Sequence, residues 1–348
     1  MAHTGLGFKG ALGIVTIASA TSIGAAQSPL SRDRQEVFEA IDPYTRGDPG
    51  ALERAGYLSF GPFEWMAGTR TDDVERVLAE PCVLWLESAH FKLGSTLGSY
   101  STVADQPERE KLREEFERLG RKIADFRPPK NVLDPWLRLH LYAQRLEEQY
   151  ATFQECFGLA DADFAKRDDP ADAHEPTMGL GPYLGMPMKF TVLLTEKTST
   201  LARFLRHYLS RDPAGLCRTR LDGGSMFLGR SEEDLWRAGS ELDVILQCAV
   251  TADVSENLLD GFQDNGSSCA AWLRSGLSSW FSRRIDARWT VYARGTTNSL
   301  GDDSWQWEPR VRGLVKNGFA VPWTDMLAWK SWDEIDPQGH MVVWSRVD

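Results

Sequence analysis

Two neighbouring stretches decide how this chain is read: Glu241–Phe262 (ELDVILQCAVTADVSENLLDGF) and Ala271–Ile285 (AWLRSGLSSWFSRRI). Each is long and apolar enough for a buried or half-buried helix, and a short Gly/Ser segment joins them. The first carries Asp253, Glu256 and Asn257 at spacings that put their side chains on one helical face. It contains no histidine. Everything upstream reads as the support on which this helix pair is mounted.

The chain has 348 residues, with 42% hydrophobic and 11% aromatic content. That apolar density predicts a large folded core and excludes disorder over most of the length. The net charge of -11 argues against nucleic acid, because a phosphate-binding surface needs clustered Lys and Arg. The densest basic pair, Arg283–Arg284, reads as the end of an amphipathic helix. At the N-terminus, Lys9 precedes the apolar, small-residue stretch Gly10–Ala26, and Gly24-Ala25-Ala26 fits a small-x-small cleavage site. Residues 1–26 are therefore expected to be a signal peptide, with the mature chain in a bacterial periplasm or outside the cell. The stretch is shorter than the ~20 residues that span a bilayer. No membrane span is expected after cleavage. Five cysteines (Cys82, Cys156, Cys217, Cys248, Cys269) form no Cys-x-x-Cys pair, so no zinc ribbon or redox motif is expected, and no cofactor.

Residues 27–55 are polar and rich in Pro, Gly, Asp and Arg, which predicts a loosely ordered leader. Residues 56–130 read as strands and a helix, with one strand expected over Cys82–Leu93 and an amphipathic helix over Asp105–Phe126. Asp134 and Pro135 are placed to open a helix running to Phe157. A long loop follows over Ala160–Pro187, then a strand at Phe190–Leu194, a helix from Thr198 or Ser199 to Leu209, a strand at Met226–Gly229 and a helix opened at Ser231. The order gives an α+β fold, mainly helical, with a small sheet. Nine of the 13 tryptophans lie from Trp272 onward. Trp305, Trp307, Trp329 and Trp332 sit among polar residues and are candidates for an aromatic surface that takes a sugar or peptide.

Further residues carry a resemblance. Glu87-Ser88-Ala89-His90-Phe91, Leu146–Leu159, Lys189–Glu196 with Ala202-Arg203-Phe204, Gly223–Phe227 and Trp272–Phe281 follow, in order, the pattern of the peptidase MA (gluzincin metallopeptidase-like) superfamily. The resemblance spans about Pro81 to Asp348 and implies a gluzincin-like α+β domain over 131–348, its small sheet packed on two active-site helices. His340–Val347 resembles the start of a closing helix, and the last helices of such a domain would lie beyond Asp348. It further implies that Asp253 and Asn257 stand where that family has its two zinc histidines, Val254 where it has the catalytic Glu, and Ser275 where it has the third ligand.

Zinc in that geometry needs two imidazoles one turn apart plus a carboxylate, and a metal-bound water needs a general base. Asp253, Val254, Asn257 and Ser275 supply neither. The closest histidines in sequence, His174 and His207, are far more than one helical turn apart. The reading is a non-catalytic exported protein, with no catalytic residues and no metal, and with a protein or glycan partner in a binding or assembly role. The alternative is a hydrolase with a carboxylate site at Asp253 and Glu256, assisted by calcium or acting on glycosides. A peptidase whose ligands (His90, His207, His340) are gathered by folding is the third reading.

Overall fold

The computed structural model describes residues 41–102, 106–164, 181–236, 242–263, 269–290 and 306–348. Among these are eleven α-helices and ten strands, arranged as a mainly helical α+β fold. The strands are β1 (Tyr57–Ser59), β2 (Glu64–Met66), β3 (Thr69–Arg70), β4 (Leu84–Ser88), β5 (Phe91–Ser95), β6 (Tyr100–Ser101), β7 (Val132–Leu133), β8 (Phe190–Thr195), β9 (Leu216–Leu221) and β10 (Ser225–Ser231). The helices are α1 (Pro49–Ala55), α2 (Thr71–Leu78), α3 (Gln106–Lys122), α4 (Pro135–Phe157), α5 (Thr198–Leu209), α6 (Glu232–Trp236), α7 (Leu242–Gln263), α8 (Ala271–Arg283), α9 (Trp307–Lys316), α10 (Trp323–Ala328) and α11 (Pro337–Val347).

Six strands form one mixed sheet in the order β1-β4-β5-β8-β10-β9. β5, β8 and β10 run parallel, and β9 pairs antiparallel with β10 at the edge. Side chains alternate between the two faces, and so does the core they build. Leu84, Leu86, Leu93, Val192, Leu194, Met226 and Leu228 face the cluster that holds α4 and α7. Val83, Trp85, Leu193 and Phe227 face the other way, against Trp65, Val74 and Leu78 from the α2 side and Leu201, Phe204 and Leu205 of α5. Gly94 is required by this second layer: it pairs with Trp85, and a Cβ there would lie 2.4 Å from the Trp85 ring.

The expectations for individual elements meet the structure unevenly. The capping reading of α4 holds, because the Asp134 carboxylate accepts from the Leu137 amide, with Pro135 opening the helix. The single strand expected over Cys82–Leu93 is instead two strands turning at Ala89-His90. Its run of β-branched and aromatic residues spans both arms of a hairpin, which a hydrophobic pattern alone does not divide. The described part of the leader expected to be loosely ordered, residues 41–55, is folded, and Asp48 caps α1. Asp42, fully buried, lies 3.0 Å from His140 Nε2, whose Nδ1 lies 2.9 Å from the Tyr57 hydroxyl. Polar composition hid this segment because its carboxylate is spent inside the fold. Residues 27–40 and the expected signal peptide, residues 1–26, lie outside the described residues. The division at residue 130 does not separate two bodies, since β1, β4 and β5 share a sheet with β8–β10. The five cysteines are free thiols, with Cys217, Cys248 and Cys269 buried.

A buried ion network ties α4 to the elements that carry α7. Arg138 Nη2 donates to Glu232 at 2.7 Å and to Asp243 at 3.3 Å, and its Nη1 donates to the Gly98 carbonyl at 2.8 Å. Arg145 grips Glu115 of α3 through two nitrogens, at 2.7 and 3.1 Å, and reaches Asp243 at 3.3 Å. Burial pushes the Asp243 carboxyl upward, but Arg145 and Arg138 more than offset it and hold it below the ordinary carboxylate range. Glu115 is likewise held low by Arg145 and Lys111 against its burial. Such charges, once inside, are costly to unpair.

A depressed folded pKa gives stability that is present above the unfolded carboxylate value, near 4, and is lost as pH falls through the folded value. The midpoint of urea unfolding is therefore expected to fall steeply on acidification below about pH 4. Asp243→Asn is expected to cost about 3 kcal/mol at neutral pH and to flatten that acid slope. An unchanged slope in the variant contradicts the assignment.

Candidate functional site

Helix α7 carries a polar stripe into the interior. Asp253, Glu256, Asn257 and Asp260 recur at i, i+3, i+4 and i+7, so they stack along one side of the helix. The rest of α7 is core, with Leu246, Ala249, Val250, Val254, Leu258 and Leu259 all buried. The stripe faces the β9–β10 edge of the sheet. Asp253, Glu256 and Asn257 are themselves buried, which for carboxylates demands a partner.

The partners are arginines from the strands. Arg218 of β9 sits opposite Leu228 of β10, so both side chains stand on the α7 face. Its guanidinium uses all three nitrogens: Nε donates to Asn257 Oδ1 at 2.9 Å, Nη2 to Asp260 Oδ2 at 2.9 Å, and Nη1 to Glu256 Oε2. The Ser278 hydroxyl of α8 donates to the other Glu256 oxygen at 3.1 Å. Arg274 of α8 takes Asp260 in a fork, at 2.8 and 2.6 Å, and passes within 3.8 Å of Glu256. Burial works against the Arg274 charge, yet Asp260 and Glu256 more than offset it and hold the guanidinium above its ordinary range. One strand further in, Arg230 Nε lies 3.7 Å from Asp253 Oδ2, an ion pair too long for a direct hydrogen bond. Edge strand, sheet and both helices thus meet at a set of arginine–carboxylate contacts.

The positions singled out from sequence are distributed as follows. Val254 lies in the apolar core. Asn257 and Glu256 are bonded by Arg218, whereas Asp253 stands 3.7 Å from Arg230 with its Oδ2 making no hydrogen bond. Ser275 is fully buried and turned away from this stripe, its Oγ 2.6 Å from Nδ1 of His340 on α11. That contact is possible because α11 closes tightly on α8: a Cβ on Gly276 would lie 2.8 Å from the Val343 carbonyl. At the expected carboxylate site each acid faces a guanidinium: Glu256 accepts from Arg218, and Asp253 lies 3.7 Å from Arg230. Among the described residues no group of three or more His, Cys, Asp or Glu side chains is placed to hold a metal.

Of the four tryptophans expected at an aromatic surface, one is buried and two are half-buried. Trp307 is buried, with the Arg283 guanidinium 3.8 Å from its ring centre. Trp329 is half-buried against Met326, Val342 and Val343, and Trp332 tilts onto His340 at 4.9 Å. Trp305 lies outside the described residues. The groups that pack on these rings, Arg283, Val342, Val343 and His340, come from elsewhere in the chain. Nor are the three scattered histidines gathered. His207 is on α5 beyond the sheet, His340 is in the α8–α11 seam, and His90 is at the β4–β5 turn. There His90 stacks on Tyr150 at 3.8 Å, with Nδ1 2.7 Å from Glu147 and Nε2 3.1 Å from Asp161.

Arg218 was missed from sequence. No local pattern marks it, because only the pairing of β9 with β10 sets it opposite the acids of α7. Comparisons with known proteins returned no match of any kind: no family model, no curated protein and no solved structure is similar to this chain.

Arg218→Ala is expected to lower the unfolding free energy by about 3 kcal/mol, because it strands Glu256 in the interior. Arg218→Lys should recover only part of that, since an ammonium gathers its donors on one nitrogen and cannot span the three residues as the planar guanidinium does. Equal stability of the native and Ala proteins in urea would contradict the tie. At His90, burial opposes the charge, but Glu147 and Asp161 raise the imidazole above its ordinary value. A raised pKa gives stability that is full below the unfolded value, near 6.5, and lost as pH rises through the folded value. The thermal midpoints of native protein and His90→Phe are thus expected to differ most at about pH 5.5 and to converge by about pH 9. A gap that does not change with pH contradicts the pairing.

Proposed function

We propose that this chain is a non-catalytic protein on a metallopeptidase-like scaffold, in which arginines bind the helix stripe that a zinc enzyme would use for its ion. The observation that carries the reading is Arg218, whose guanidinium bonds Glu256, Asn257 and Asp260 at once. Around the stripe stand an antiparallel edge strand, a long buried helix beside it and a second helix packed on the first. Within it, Asp253, Val254, Asn257 and Ser275 offer neither an imidazole pair nor a base near a bound water. The role that follows is binding or assembly of a protein or glycan partner, after export directed by residues 1–26.

Purified protein is expected to carry zinc far below one ion per chain by elemental analysis. It is also expected to leave casein and a mixed peptide library uncut over hours. Stoichiometric zinc with cleavage that a chelator abolishes overturns the proposal.

A further inference from the structure

Of the large apolar side chains exposed among the described residues, four are grouped in one short stretch: Val315 at 57%, Phe319 at 74%, Trp323 at 44% and Leu327 at 63%. Val315 extends the Trp307 and Val311 side of α9 one step past the core. α9 ends at Asn317-Gly318, where Gly318 takes φ +74° and the Phe319 amide bonds back to the Leu314 carbonyl at 2.9 Å. The reversal puts Phe319 at a projecting tip. On α10, Trp323 and Leu327 are one turn apart, and Met326 is the buried residue. The base beneath is firm: Leu314, Val321 and Trp329 pack with Met326 on Val342 and Val343 of α11.

The rim of this corner is cationic. Lys316 and Lys330 flank it and are exposed, and the Arg346 guanidinium lies 5.2 Å from the Trp323 ring centre. The single acid between residues 315 and 330 is Asp325, about 200° around α10 from Trp323. Lys316 and Lys330 less Asp325 leave residues 315–330 at +1 in a chain of net charge -11, and past them Glu334 accepts from the Lys330 amide at 3.1 Å. Exposed aromatic and aliphatic side chains ringed by Lys and Arg match the chemistry of a bilayer interface, where rings lie at headgroup depth and cations meet lipid phosphates. A second copy fits less well. Four side chains expose far less than the roughly 800 Å² that each partner gives to a standard interface. An isologous pairing would also bring two cationic rims together.

We propose that the Val315–Leu327 corner seats this protein on the surface of an anionic lipid bilayer, peripherally and without crossing it. The test is co-sedimentation of the full chain with large vesicles of phosphatidylcholine, alone or with phosphatidylglycerol added. Binding to the anionic vesicles is expected to exceed binding to the neutral ones by about tenfold and to weaken in high salt. Phe319→Ser with Leu327→Ser, both surface changes, should leave the thermal midpoint in place and reduce vesicle binding about tenfold. Lys316→Glu with Lys330→Glu should remove the anionic preference. The proposal is overturned if neither vesicle binds. It is overturned equally if both double variants bind like the native protein, as when another apolar stretch such as Gly10–Ala26 carries the binding. A concentration-dependent dimer abolished by the Ser substitutions assigns the corner to self-association instead.

Discussion

The guanidinium of Arg218 is the constraint around which the second half of this molecule is arranged. It reaches from the edge of the sheet into a stripe of α7 that would otherwise bury uncompensated negative charge. By bonding three residues over one helical turn it fixes the distance and the rotation of α7 relative to β9. Arg274 and Ser278 extend the same set of contacts to α8. A buried carboxylate without such a partner costs several kcal/mol, so the arginines and acids stand or fall together.

A second set of charges performs the matching task on the opposite flank. Asp243 at the start of α7 lies between Arg138 and Arg145 of α4, with Glu115 and Glu232 completing the balance. The helix is therefore held at its first turn by α4 and along its length by the sheet edge. Apolar burial supplies the bulk of the cohesion, but it is non-directional. The ion contacts give α7 a single register. They also engage the polar groups of the α7 stripe, which Arg218 bonds at three residues.

How much of this was legible in the sequence depended on the kind of signal. Helices with local start signals were plain, as at Asp134-Pro135, because a cap is decided by neighbours in the chain. The α+β class followed from element order. The β4–β5 turn was hidden because its two strands form one apolar run. The order of residues 41–55 was hidden because Asp42 finds His140 far away in sequence. For the candidate site, composition placed the carboxylates of α7 on one face but left their partners unknown. Arg218 and Arg230 are brought there only by the sheet, and His340 reaches Ser275 only by the closure of α11. The tryptophans misled for the same reason: whether a ring beside polar residues is covered or bare is settled by elements such as Arg283 that lie elsewhere in the chain.

The most direct measurement is a double-mutant cycle on Arg218→Ala and Glu256→Gln, read by urea unfolding at neutral pH and again in high salt. A structural tie predicts a coupling of about 2 kcal/mol that persists in salt, as expected for a pair shielded from solvent. Additive effects, with coupling indistinguishable from zero, would show that the arginine does not hold the stripe.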